Sequence, residues 1–220
     1  MEFGKYFSIA KNEVKQAIVD NKRLIILMVV IYVISCIACG IFNDQIMGLF
    51  GSKLNAMDAQ SAPAMDPALD LFIHNELGGI RTYLLSIFFG IAAFVEIIIN
   101  GLMVGTVCGE LISQNFVYGF AMSFALIVPH GIFEIPATIL ESVAGVLLFL
   151  FIWRFFKTIR ATKDISTFKL KAKSSWEVNK VYLKQSIVLM IFCCVLLVIA
   201  AIIEGHITGH IGDWVQSFFK

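Results

Sequence analysis

Apolar residues run through this chain in blocks about as long as a bilayer is thick, and the polar residues between the blocks mark out the elements. Residues 1–23 carry Phe3, Phe7, Ala10, Val14, Ala17 and Ile18 at helical spacing, with Lys and Asn between them. That pattern predicts an amphipathic helix at the cytoplasmic interface, either lying on the membrane or packed under a bundle. Residues 24–42 form an uninterrupted apolar run, close to the ~20 residues that cross a ~30 Å hydrocarbon core, and make the first span. The segment 43–81 has two amphipathic pieces, one over Ile46, Phe50, Leu54 and Met57. The other opens at Asp66-Pro67, an N-cap followed by proline at the first helical position, and carries Leu69, Phe72, Ile73 and Leu77. It is expected to break at Gly78-Gly79 and to lie on the outer face of the membrane.

The stretch from Thr82 to Trp153 has no Lys or Arg and is long enough for three crossings. Its most polar turn candidate is Gly109–Asn115, which gives spans at 83–108, 116–128 and 135–156. A helix over 116–128 covers only ~20 Å at 1.5 Å per residue. A break at Pro129-His130-Gly131 would then fall within the membrane, where irregular backbone survives only under protein or in a wet cavity. A turn at Asn100-Gly101 is the alternative, and moves the break to the outer surface. Residues 157–185 read as a basic loop and 186–203 as the fifth span, followed by Glu204-Gly205-His206-Ile207-Thr208-Gly209-His210.

Composition strengthens the membrane reading. Of the 220 residues 59% are hydrophobic and only 15% charged, whereas soluble domains are nearer half and a quarter. Mean hydropathy is +0.85. The predicted fold class is an all-α, polytopic membrane helix bundle in a single domain, with five transmembrane helices, amphipathic interfacial helices and a helix broken at the P-H-G-x-x-E motif. The placement of charge orients it. Arg154 to Lys184 holds nine basic residues against two acidic, while 43–81 holds two basic against five acidic. The N-terminus and the 157–185 loop are therefore expected in the cytoplasm, with 43–81 and the C-terminus outside. The bilayer is the expected partner. A net charge of +1 without a basic-aromatic array gives no footprint for nucleic acid.

The candidate chemistry is a polar set in apolar surroundings: Glu96, Asn100, Glu110, His130, Glu134, Glu141 and Glu204. Glu96 and Asn100 are four residues apart and share a helix face, as His130 and Glu134 would in a continuous helix. No basic residue is near in sequence to neutralise these carboxylates. Such groups point either to a proton or ion pathway or to a polar clamp between helices. Pro129, Gly131 and Pro136 are the helix-breaking residues, and Gly101, Gly105 and Gly109 form a doubled small-xxx-small motif suited to close helix packing or to a homodimer. Cys36, Cys39, Cys108, Cys193 and Cys194 read as small buried packing residues. His206 and His210 are four apart, but Gly205 and Gly209 argue against the rigid helix a metal pair needs. Neither a metal site nor a cofactor is expected. A phosphate-cradling glycine loop and a G-x-S-x-G nucleophile elbow are both lacking, and an enzyme is not expected.

Several of these residues resemble the stage II sporulation protein M family. They are Asn75, Gly90-Ile91, Asn100-Gly101 with Gly105, Pro129-His130-Gly131-Ile132-Phe133-Glu134-Ile135-Pro136-Ala137 with Gly145, and Ala201-Ile202-Ile203-Glu204. The resemblance implies a five-span membrane protein, and its namesake holds peptidoglycan-degrading partners at the membrane during engulfment. The resulting expectation is a non-enzymatic scaffold in which Glu96, Asn100, His130, Glu134 and Glu204 fix the helices while outer or basic segments hold membrane or envelope partners. The alternative is a proton, ion or small-solute transporter using the same cluster.

Overall fold

The computed structural model describes residues 2–42, 66–162 and 167–220, and all regular structure among them is helical. The elements are α1 (Glu2–Asp20), α2 (Lys22–Ile41), α3 (Pro67–Leu85), α4 (Ile91–Gln114), α5 (Phe116–Ala161), α6 (Phe168–Ile203), a π-helical turn (Glu204–Thr208) and α7 (Gly209–Ser217). The predicted piece over Ile46, Phe50, Leu54 and Met57 lies outside the described residues. Four helices are long and apolar enough to cross a membrane: α2, α4, α5 and the α6–α7 run.

α5 and α6 form the central pair. Ser186 Oγ donates to Ala144 O at 2.7 Å and Ser175 Oγ to Phe155 O at 2.7 Å, which ties the C-terminal half of α5 to the N-terminal part and middle of α6. Val143, Leu147, Leu189 and Leu197 fill the seam between them. α2 lies along α4 in the same direction. A Cβ on Gly101 would sit 2.6 Å from Tyr32 O, and one on Gly105 would meet the carbonyl of Cys36. These two glycines are thus spent on backbone contact within the chain. Gly109 lies one turn further along α4. Around this core, large aliphatic and aromatic side chains such as Ile26, Ile34, Phe88 and Ile191 are exposed, the surface expected of helices solvated by lipid.

α1 packs under the bundle against α6. Glu13 pairs with Lys184 at 2.6 Å, and Gln185 donates to Asp20 at 2.7 Å.

α5 corrects the expected break. It runs unbroken through Pro129, Gly131 and Pro136 for 46 residues, so the predicted spans 116–128 and 135–156 are one helix. Each proline fixes φ at a helical value and costs one intrahelical hydrogen bond, which packing against neighbouring helices offsets.

α3 supplies a second correction. Asp66 caps it, its side chain accepting from Ala68 N at 2.8 Å and Leu69 N at 3.3 Å, with Pro67 in the first turn. The helix does not stop at Gly78-Gly79 but continues to Leu85. Gly79 is needed for closeness, since a Cβ there would fall 2.5 Å from the Glu141 carboxylate. α3 also does not lie apart on a surface. Gly205 touches the Ala68 backbone near its start, and Tyr83 Oη lies 3.0 Å from Ser186 Oγ near its end, so α3 runs antiparallel to α6 and parallel to α5. The predicted span 83–108 gives way to a turn at 86–90, where Phe89 and Gly90 have φ of 63° and 67°, and α4 begins at Ile91. Gly90 takes that left-handed conformation without a Cβ penalty.

Candidate functional site: a polar column inside the bundle

The π-helical turn builds one end of the site. Five residues with wider hydrogen bonding, Thr208 Oγ donating to Ile203 O at 3.3 Å, rotate Glu204 and Thr208 toward α5. Single π turns inside α-helices are frequent at functional sites. Gly205 and Gly209, which the sequence set against a rigid helix for a His206–His210 pair, lie in continuous helical structure. His206 instead faces Asp66 at 3.8 Å, and His210 is exposed.

On α5, His130 and Glu134 are one turn apart, with Nε2 and Oε2 separated by 3.6 Å. Their side chains are 14% and 27% exposed. His130 Nδ1 lies 3.3 Å from Thr208 Oγ, and Asn75 Nδ2 donates to Glu134 Oε1 at 3.2 Å. One ligand-capable atom from each of His130, Glu134 and Glu204 falls within 4.8 Å of the others. These groups line a cavity of about 290 Å³ that also reaches Tyr32, Asn100 and Val104.

Two turns further along α5, Glu141 is 5% exposed and packs against Gly79. Its Oε1 and the Oε2 of Glu76 meet no hydrogen-bond partner among the described residues. Glu96 accepts from Thr82 Oγ at 3.2 Å and from Asn100 Nδ2 at 2.9 Å. Ser142, Ser86 and Ser186 follow, all buried. Polar groups thus succeed one another along the inside of α3, α4, α5 and α6, from Glu204 to Gln185. Among the described residues no Lys or Arg forms an ion pair with any glutamate of this column.

The structure brings His130, Glu134 and Glu204 together and puts Asn100 on the same cavity. Glu96 belongs to the deeper part with Thr82. Glu110, on the exposed face of α4, is apart from both. Sequence reading gave Asn75 no place in the cluster and missed Glu76 and Thr82 altogether, because α3 was not expected inside the bundle. The signal was there: Asn75, Glu76, Gly79 and Thr82 recur at three- and four-residue spacing on one helix.

The stage II sporulation protein M family matches residues 24–209, which covers the column from Tyr32 to Thr208. The chain belongs to that family. Among relatives, an uncharacterized protein of Methanocaldococcus jannaschii, MJ0793, is 32% identical over 132 residues, spanning 60% of this chain and 65% of that protein. A second from the same organism, uncharacterized protein MJ0706, is 24% identical over 206 residues, 90% of this chain and 87% of the relative. No solved structure matches significantly. Family membership and the four apolar helices make this a membrane protein.

Proposed function

We propose that this stage II sporulation protein M family member is a five-crossing, non-enzymatic membrane protein that conducts protons or a small cation along its polar column. One observation carries the reading: among the described residues, five glutamates and a histidine lie along the inside of one bundle with no Lys or Arg paired to them, and Glu76 Oε2 and Glu141 Oε1 meet no hydrogen-bond partner. A clamp that served only stability would have its acceptors filled, since an orphaned buried acceptor costs about 1–3 kcal/mol. Chains of Glu and His within a membrane are the usual material of proton relays.

The fifth crossing in this reading is α3, less apolar than the others because its inner face carries Asn75, Glu76 and Thr82. Helix directions support it. α2, α4 and α6 run one way and α3 and α5 the other, which puts α1, the 86–90 turn, the end of α5 and the start of α6 on one side. That side holds the basic residues, so it is read as cytoplasmic, with the C-terminus opposite. In proteoliposomes under a proton or cation gradient, the wild type should dissipate the gradient and Glu134→Gln should not. A wild type no faster than empty liposomes removes the reading.

A second reading, a scaffold for membrane or envelope proteins, draws on the lengths of α5 and α6. At 46 and 36 residues they extend to ~69 and ~54 Å, beyond a ~30 Å core. The end of α5 and the start of α6 are basic, and Phe168 and Val178 are exposed there. In-cell crosslinking with mass spectrometry tests it: a stoichiometric partner lost on Val178→Asp supports a scaffold, and recovery of this chain alone counts against it.

A further inference from the structure

We infer that His130, Glu134 and Glu204 form a binding site for a divalent first-row transition metal at one end of the column. The donor set is one imidazole nitrogen and two carboxylates, with the three ligating atoms within 4.8 Å of one another. A metal at ~2.1 Å from each ligand needs them ~3–3.5 Å apart, a closure that carboxylate rotation provides. An imidazole with two carboxylates suits zinc, manganese or iron(II) better than the all-oxygen shells of calcium or magnesium.

The surroundings are organised as a metal's second shell would be. The Thr208 hydroxyl lies 3.3 Å from both Ile203 O and His130 Nδ1, so it holds the imidazole ring in place. Thr208 takes up Nδ1, which leaves Nε2 as the ring nitrogen that faces Glu134 Oε2 at 3.6 Å. Asn75 fixes the other oxygen of Glu134, which leaves Oε2 for the ion. The cavity of about 290 Å³ provides open coordination positions beside Asn100 and Tyr32. Spacing alone gives no ligand geometry here, because Glu204 is 70 residues from Glu134 and meets the His130–Glu134 pair at the π turn.

The inference deepens the proposed pathway by naming an ion for its polar end, yet a site that holds metal without passing it would still satisfy it. The test uses the full chain in mild detergent with His206→Ala and His210→Ala, which removes exposed histidines able to bind metal adventitiously. Equilibrium dialysis against Zn²⁺ or Mn²⁺, read by elemental mass spectrometry, should give one metal per chain, and Glu204→Gln should weaken binding at least tenfold. The Glu204 carboxylate makes no hydrogen bond to another described residue, so this variant is expected to stay monodisperse. Independently of it, pulsed EPR on bound Mn²⁺ should show coupling to one histidine nitrogen. Absence of stoichiometric metal, or binding unchanged in folded Glu204→Gln, or a spectrum without histidine nitrogen, overturns the inference. Gradient dissipation without metal affinity would reject the metal alone, and metal affinity without dissipation would reject conduction alone.

Discussion

Asn75 and Glu134, 59 residues apart in sequence, meet at 3.2 Å across the α3–α5 contact. The amide donates to the carboxylate that lines the cavity, so one bond both holds α3 in the bundle and orients a site residue. Hydrogen bonds between membrane helices contribute about 0.6 kcal/mol on average and ~1.7 at most. Asn75→Ala should therefore lower the thermal midpoint by only a few degrees. In a double-mutant cycle with Glu134→Gln, measured by thermal unfolding in detergent, the coupling should fall in that range. Strict additivity would show that the contact carries no energy.

Gly105 and Gly209 should respond oppositely to added bulk. A side chain at Gly105 runs into the Cys36 carbonyl, whereas nothing lies within 4 Å of a Cβ at Gly209. Gly105→Val should sharply reduce the monodisperse fraction on size exclusion, while Gly209→Ala leaves it unchanged.

If α3 crosses the membrane, the 86–90 turn faces the cytoplasm. A cysteine at Phe88, which is 68% exposed, should react with impermeant maleimide from the same side as one at Lys171. A cysteine at Gln216 should react from the other side. The chain's own five thiols set the baseline. Labelling of Phe88 and Gln216 from one side would rule out the crossing.

Because α5 is continuous, Pro136→Ala should preserve folded yield and helical circular dichroism, with a thermal midpoint equal to or above that of the wild type. The substitution restores a donor that a helix interior otherwise lacks. A fold that depended on a break at this point would lose yield instead.

What the sequence disclosed depended on how local each feature was. Apolar runs such as Ser186–Ile203 identified membrane helices directly, and the Asp66-Pro67 pair marked the start of α3. Proline and glycine misled in α5, where the residues that break helices in water are tolerated when neighbouring helices cover them. Gly78-Gly79 misled for a related reason: the glycine that looked like a stop is the place where Glu141 packs against α3. His130 and Glu134 were legible as a pair because i, i+4 spacing is a local property. Their grouping with Glu204 was expected from the family resemblance, but the contacts with Thr208 and Asn75 were not, because they depend on a π turn and on α3 lying inside the bundle, neither of which a hydropathy pattern encodes.

The most direct test of conduction along the column is Glu141→Gln, because this residue is 5% exposed, lies outside the metal-ligand triad and has an oxygen with no hydrogen-bond partner among the described residues. Proton or cation flux is measured in proteoliposomes holding equal amounts of monodisperse wild type and variant. The account predicts that the variant folds as well as the wild type and that its flux falls to the level of empty liposomes. Wild-type flux in the variant would contradict it.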